Sequence, residues 1–130
     1  MIVVDTSVFI AFVRREPEVD EFRQALLRAS RAKMSAGSYL ECAIVATGRG
    51  LGGRDVLDTW LTARNIAIAP VDAALAQLAA DAFARFGRGR HPAGLNYGDC
   101  FSYALAKSLR APLLFKGEDF GKTDIMAALA

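Results

Sequence analysis

The stretch MIVVDTS at residues 1–7 decides how the rest of the chain is interpreted. Three consecutive β-branched residues, from Ile2 to Val4, are typical of a strand buried on both faces. The strand ends abruptly at Asp5, and two hydroxyl residues follow. In an α/β sheet, ligands bind beyond the carboxyl ends of the strands, so Asp5 is a candidate site residue. It also has an ordinary interpretation, because a turn from strand to helix often uses a side-chain N-cap.

Beyond this first strand, short strands alternate with helices. We predict strands over 33–35, 66–69 and 112–115, and helices over 8–14, 17–31, 38–47, 55–64, from the N-cap Asp72 to Phe86, and over 98–110. Residues 117–123 are expected to form a loop with one turn. The alternation predicts an α/β fold with a mainly parallel central sheet flanked by helices. Apolar residues from Leu75 to Phe86, Phe83 among them, recur three and four apart and predict a core-facing stripe.

Composition limits the class of protein before any motif is considered. The 130 residues are 53% hydrophobic, and the net charge is only +2, which excludes intrinsic disorder and predicts one domain over 1–130. Two cysteines, Cys42 and Cys100, are too few for a disulfide framework or a cysteine zinc site. We expect both to be buried core residues, in a cytoplasmic protein. No secretory signal is expected, and the apolar stretch 66–86 is too polar to cross a membrane.

Three further acids have ordinary explanations when each is taken alone. Glu41 follows Ser38 by three residues and matches a capping box, whereas a helix starting at Ser35 would leave Glu41 free to project. Asp99 is suited to the first turn of its helix, where a negative charge complements the helix dipole. Asp119 is suited to a turn. Together, however, carboxylates from several elements are the ligands that Mg²⁺ and two-metal phosphodiester cleavage need.

Two other magnesium-binding α/β classes fit the sequence less well. A phosphoacceptor receiver domain needs paired acids after its first strand, and Asp5 stands alone there. A phosphatase of the haloacid dehalogenase type needs a second Asp two residues after the first, and that position is Ser7.

Four motifs in order carry a family resemblance. They are MIVVDTS at 1–7, SYLE at 38–41, NYGDCFSYALA at 96–106, and LLFKGEDF at 113–120 followed by TDI at 123–125. Together they resemble the PIN-domain ribonucleases, and specifically the VapC toxins of bacterial VapBC toxin–antitoxin pairs. The likeness extends over essentially the whole chain.

The resemblance implies an acidic pocket that holds Mg²⁺ or Mn²⁺. Its catalytic and metal-binding acids would be Asp5, Glu41, Asp99 and Asp119. Thr6 or Ser7 would support the first acid, and Asp124 would support the site or the fold. Glu118 stands where similar sequences often have Asn, so either Glu118 or Asp119 is the closer acid.

The resemblance also implies a function and partners. The chain would be a metal-dependent endoribonuclease that arrests growth by cutting RNA. A cognate VapB-type antitoxin would inhibit it by docking on apolar faces of the first helices, and the toxin would form a homodimer. The alternative is a non-catalytic PIN-like module that binds RNA or protein.

A basic segment leads into Asp99. Arg85, Arg88 and Arg90 alternate with glycines there, and arginine binds phosphate in a bidentate manner. The segment is therefore interpreted either as an RNA-backbone clamp or as a flexible solvated loop. His91 is not expected to act as the base, since a metal-bound hydroxide supplies the nucleophile. Without the four metal acids, 16 basic residues face 10 acidic ones, a balance of +6 that suits an RNA partner.

Overall fold

The computed structural model of the protein describes residues 1–129, and the last residue of the predicted 1–130 domain lies outside that range. Within it, four strands alternate with six α-helices and end in a 3₁₀ turn over Phe120–Lys122. The strands are β1 (Ile2–Val4), β2 (Ala32–Ser35), β3 (Ile66–Ala69) and β4 (Leu113–Leu114). The helices are α1 (Thr6–Val13), α2 (Val19–Arg28), α3 (Ala36–Gly48), α4 (Gly53–Ala63), α5 (Ala73–Phe86) and α6 (Tyr97–Leu109).

The four strands form one parallel sheet in the order β3-β2-β1-β4. The central strand β1 has its side chains buried on both faces, as its sequence predicts. Ile2 and Val4 belong to one hydrophobic cluster, and Val3 belongs to a second one on the opposite face. Since all strands run in the same direction, their carboxyl ends lie along one edge of the sheet. The predicted α/β class with a parallel sheet is confirmed.

Side-chain caps fix two helix starts that bear on the site. The N-cap of α3 is Ser35, whose hydroxyl accepts a hydrogen bond from the Gly37 amide at 3.2 Å. The alternative start at Ser35 is therefore correct, and the predicted capping box of Ser38 and Glu41 is wrong. Helix α6 begins with a capping box: Asn96 accepts from the Asp99 amide at 2.8 Å, and Asp99 accepts from the Asn96 amide at 3.0 Å.

Two predicted elements are too long. The second helix begins at Val19 and not at Pro17, and it ends by Arg28 because Ala29 has extended backbone that leads into β2. The last strand consists of Leu113 and Leu114 only, because β1 is itself three residues long and offers few partners. The other predicted bounds lie within one or two residues of the observed ones.

The predicted core-facing stripe on α5 is partly wrong. Ala82 and Phe86 are buried, but Phe83 is 40% exposed. The reason is that α5 packs mainly on α6 at the edge of the molecule and does not lie across the sheet. Its apolar face is therefore wider than the surface that covers it. Among residues 1–129, the structure has no helix that is long and apolar enough to span a membrane.

We predict that Leu114→Ala lowers the free energy of unfolding by about 2–5 kcal/mol, because Leu114 is fully buried in β4 beneath the first helices and its loss leaves a cavity. The matched control is Leu27→Ala on α2, where the side chain is 78% exposed and the change should stay within about 0.5 kcal/mol. Urea denaturation of both variants measures the difference. Equal losses would contradict the placement of β4 in the core.

Candidate active site

One cleft of about 470 Å³ lies at the carboxyl end of β1. Asp5, Glu41 and Asp99 line it, and we call it the acidic cleft. Asp5 directly follows β1, Glu41 lies in the second turn of α3, and Asp99 lies in the first turn of α6. The parallel sheet therefore brings together three acids that are far apart in the sequence.

The Asp5 carboxylate is buried and accepts three hydrogen bonds, with only 4% of the residue exposed. Its Oδ2 accepts from the Ser7 hydroxyl at 2.7 Å and from the Ser7 amide at 3.1 Å. Its Oδ1 accepts from the Ser102 hydroxyl at 2.5 Å. Asp5 is thus the N-cap of α1 and also a cleft residue, so the ordinary interpretation and the site interpretation hold together. Oδ1 accepts only the one hydrogen bond from Ser102 and keeps a lone pair for a ligand, whereas Oδ2 already accepts two.

Sequence analysis missed the role of two buried serines of the site, since it assigned Ser38 only to a helix cap and gave Ser102 no role. Ser102 lies in α6, three residues after Asp99, and Ser38 lies in α3; both are fully buried. Their hydroxyl oxygens are 3.1 Å apart, so Ser38, Ser102 and Asp5 form one hydrogen-bonded chain. A signal was available, because a serine in a buried helix must have a partner for its hydroxyl.

The Glu41 carboxylate lies between α1 and α6. Its Oε1 accepts a hydrogen bond from the Thr6 hydroxyl at 2.7 Å. A side chain at Gly98 would collide with the Glu41 carboxylate, so the glycine leaves the room that this acid needs. Burial raises the pKa of Glu41, the bond from Thr6 opposes the rise, and the charge of Asp5 adds to it.

Asp99 is the acid most perturbed by this arrangement. Burial raises its pKa from 3.8 to about 6; the hydrogen bond from the Asn96 amide opposes that rise, and the charges of Asp5, Glu41 and Asp119 add to it. The same side chain completes the cap of α6. Its position is thus fixed by backbone geometry, although its charge is repelled by its neighbours.

Asp119 lies outside the lining of the cleft, on an exposed turn that leads into the 3₁₀ helix. The charge of Asp119 still contributes to the raised pKa of Asp99, whereas the charge of Glu118 does not. Of the two acids left open by the sequence, Asp119 is therefore the one with an electrostatic link to the cleft.

The donor set of the acidic cleft fits a hard divalent cation. Every candidate ligand atom is a carboxylate or hydroxyl oxygen, the type that Mg²⁺ and Mn²⁺ prefer. Asp99 and Glu41 have raised pKa values partly because like charges face each other, and a bound cation would relieve that repulsion. In the described part of the chain, no three His, Cys, Asp or Glu side chains are arranged to hold a metal ion as they stand.

Comparison with known proteins identifies the family. The sequence pattern of the PIN domain matches residues 2–126, nearly the whole chain. The chain belongs to the PIN-domain family. Curated relatives place it more narrowly. It is 50% identical to a "Ribonuclease VapC" of Mycolicibacterium smegmatis over 96% of this chain and 98% of that protein. It is 48% identical to "Ribonuclease VapC30" of Mycobacterium tuberculosis H37Rv over 95% of each chain.

Solved structures of toxins have the same fold as this chain. VapC20 of Mycobacterium tuberculosis, described as a sarcin-ricin loop cleaving toxin, superposes with a TM-score of 0.74 at 16% identity over 97% of both chains. A toxin–antitoxin complex from Klebsiella pneumoniae gives a TM-score of 0.73 at 15% identity, covering 95% of this chain and 93% of that one. At these identities the likeness shows the PIN fold alone.

The basic segment before α6 is an ordered loop. The Arg88 amide donates to the Leu95 carbonyl at 2.9 Å, and the Leu95 amide donates to the Phe86 carbonyl at 3.0 Å. His91 is a structural residue there, because its Nδ1 accepts from the Ala93 amide at 3.0 Å and its ring packs edge-on against Phe86. These bonds define the path of the loop, and its interpretation as an RNA-backbone clamp stays a prediction. Arg88 and Arg90 are exposed on this loop and do not line the acidic cleft.

Asp124 holds the C-terminal segment against α5 and α6. It accepts from the Tyr103 hydroxyl at 2.5 Å and pairs with Lys107 at 3.2 Å and Arg85 at 3.3 Å. Burial alone would raise the pKa of Asp124, but the Tyr103 and Lys107 hydrogen bonds and the two positive charges lower it overall. These contacts are structural, and the ion pair with Asp124 leaves less of the positive charge of Arg85 available to a phosphate.

We predict that Asp99→Asn stabilises the protein in EDTA near neutral pH. In the wild type, the folded state binds the Asp99 proton more tightly than the unfolded state does. The contribution of Asp99 to stability is therefore fully present below pH 3.8 and is lost as the pH rises through about 6. Asparagine stays uncharged, and we expect a gain of about 1 kcal/mol at about pH 7.5, discounted because Asp99 is partly exposed.

Urea denaturation at several pH values measures this difference. The gain from Asp99→Asn should shrink towards zero at about pH 4. Asp81→Asn, at an exposed position on α5, is the control and should show no such pH dependence. A gain that is equal at both pH values would contradict the electrostatic origin of the effect.

Proposed function

We propose that this chain is the toxin of a type II VapBC pair and that it hydrolyses RNA phosphodiester bonds as a Mg²⁺- or Mn²⁺-dependent endoribonuclease. Membership in the VapC group of the PIN family supports the ribonuclease and toxin assignment. The observation that carries the chemistry is the Asp5 carboxylate, which is buried beside two other acids and oriented by hydroxyl groups. We further propose that residues 1–130 act as a single domain.

The proposed roles of the acids follow from their contacts. Asp5, Glu41 and Asp99 would hold the cation, and Asp119 would contribute from the rim. Ser7 and Thr6 orient the carboxylates of Asp5 and Glu41. When bound, a divalent cation lowers the pKa of a water molecule and stabilises negative charge on the scissile phosphate.

Nucleophilic catalysis by a side chain finds no support in the surroundings of the acidic cleft. Cys42 and Cys100 each follow a cleft acid, but both are buried and their thiol pKa values are raised by burial. A thiol with a raised pKa is a poor nucleophile. Hydrolysis by water, directed by the carboxylates, is the chemistry that this cleft supports best.

RNA contacts outside the cleft are proposed for the basic loop. Arg88 is exposed, and the Arg90 guanidinium donates from Nε to the Ala84 carbonyl at 3.1 Å, which leaves its other nitrogens available. Arg85 stacks on Phe86 and pairs with Asp124, so it has less free charge to offer a phosphate.

The cognate VapB-type antitoxin is the proposed protein partner. A groove between α1, α2 and α4 is lined by apolar side chains, by three arginines and by the acids Glu16 and Asp20, and we call it the helical groove. Phe12 and Trp60 pack edge-to-face in it, and the Arg64 guanidinium lies 4.5 Å from the centre of the Phe12 ring. Arg23 lies beside them and forms an exposed ion pair with Asp20 at 3.0 Å. An amphipathic segment with acidic residues would match this surface.

A homodimer and a cytoplasmic location are also proposed. The apolar surface between α5 and α6, where Phe83 and Tyr97 are exposed, is a candidate for contact with a second copy. Two free cysteines fit a reducing compartment.

We predict that Asp5→Asn and Asp99→Asn each reduce Mg²⁺-dependent RNA cleavage by at least about 100-fold, because each removes a negative ligand from the cleft. Cleavage of a labelled RNA is measured with Mg²⁺ and with EDTA. Asp81→Asn is the control and should cleave as the wild type does.

Metal-independent cleavage, or full activity of both variants, would contradict the proposed mechanism. RNA binding without cleavage by the wild type in Mg²⁺ or Mn²⁺ would instead favour the alternative function, a non-catalytic binding module.

We predict that Arg23→Glu weakens binding of the antitoxin by about tenfold or more at low salt, since the change reverses a charge in the helical groove. Titration calorimetry with the cognate antitoxin measures the affinity. Arg49→Glu is the control, because Arg49 is exposed at the far end of α3. An equal effect of both variants would place the antitoxin elsewhere.

A further inference from the structure

The negative charge of the acidic cleft repels RNA, the proposed substrate, which is itself a polyanion. The cleft presents four carboxylates to this polyanion, because Glu16 lines it together with Asp5, Glu41 and Asp99. A divalent cation offsets part of this repulsion. Positively charged side chains at the mouth of the cleft would offset the rest. Two cationic residues, Arg14 and Lys116, line it.

The charge of Lys116 is already used within the protein. Its Nζ lies 2.8 Å from a Glu16 carboxylate oxygen and 3.2 Å from one of Glu18. Its backbone amide donates to the Ser7 hydroxyl at 2.9 Å, and Ser7 in turn donates to Asp5. Lys116 thus ties the segment between α1 and α2 to the end of β4, and we call this set of contacts the lysine strap.

Arg14, in contrast, has a free side chain. It is the C-cap of α1, and its backbone amide bonds to the Ile10 carbonyl. Its guanidinium is exposed, and within residues 1–129 it takes part in none of the ion pairs and none of the side-chain hydrogen bonds. An arginine in the lining of the acidic cleft that has no partner among these residues is available to a ligand. Glu16, two residues further on, is the anchor that the lysine strap holds.

We propose that Arg14 binds a phosphate of the RNA backbone at the mouth of the acidic cleft, and that the lysine strap positions it there. The proposal rests on the proposed function as a ribonuclease. A guanidinium matches a phosphate with two parallel hydrogen bonds, whereas an ammonium acts as a point charge. Arg14 is therefore a substrate-binding residue, and Lys116 is a positioning residue.

The basic loop does not fill this role. Arg88 and Arg90 are exposed away from the lining of the cleft, whereas Arg14 shares that lining with Asp5 and Glu41. Arg14 is thus placed to fix the register of the scissile bond, while the loop would contact RNA further along the strand.

The first test measures binding and not cleavage. Fluorescence anisotropy of a labelled single-stranded RNA of mixed sequence is followed in EDTA at several salt concentrations, for the wild type and for Arg14→Ala. We expect about tenfold weaker binding at low salt, and a salt dependence shallower by about 0.7 in log–log slope, the value for one lost phosphate contact. Arg14→Lys should restore the slope but only part of the affinity.

Arg49→Ala is the matched control, since it removes an exposed arginine far from the cleft and should change the slope little. Unchanged affinity and slope in Arg14→Ala would overturn the proposal, as would an equal change in Arg49→Ala. If the wild type binds this RNA but never cleaves any RNA, the proposed function fails while the binding data still decide the role of Arg14.

The second test concerns the lysine strap. Lys116→Met keeps the length of the side chain but removes its charge, so Glu16 and Glu18 lose their partner. We expect Arg14→Ala to have a much smaller effect on RNA affinity in the Lys116→Met background than in the wild type. Equal effects in both backgrounds would overturn the positioning role, and thermal melts of all four proteins confirm that each is folded.

Discussion

The buried carboxylate of Asp5 is the constraint on which the rest of the structure depends. A carboxyl group with 4% exposure is costly to bury unless the protein supplies its hydrogen bonds. Ser7 from α1 and Ser102 from α6 supply them, and Ser38 of α3 extends the chain of hydroxyl groups. The contacts that solvate this charge are thus the same contacts that dock three helices at the end of β1. Fold and site are built by one set of interactions.

The remaining acids show why such a site is held under electrostatic stress. Burial and neighbouring negative charges raise the pKa of Glu41 and Asp99, yet the backbone cap of α6 and the space above Gly98 keep both acids in place. A protein selected only for stability would avoid this arrangement, so its presence is explained by a function that needs clustered negative charge. The cationic side chains that line the cleft, Arg14 and Lys116, reduce the repulsion between this surface and a polyanion.

The sequence predicted the parts of the structure that depend on local rules. The β-branched run of β1, the place of Asp99 in the first turn of α6 and the alternation of strands and helices follow from patterns within a few residues. The rest depends on contacts that are distant in sequence. Ser35 prevailed over Ser38 as the start of α3 because Ser38 is needed in the interior beside Ser102. The exposure of Phe83 and the free guanidinium of Arg14 depend on which neighbours are present or missing, and periodicity does not encode that.

The central claim is that the carboxylates around Asp5 form the site of a divalent cation. Anomalous diffraction at the manganese edge, from crystals grown in MnCl₂, tests it most directly, because it locates the ion independently of any activity. The account predicts an anomalous peak in the acidic cleft next to Asp5, Glu41 and Asp99, and its loss in crystals of Asp5→Asn. Peaks confined to other surfaces, or a cleft peak that persists in the variant, would contradict it.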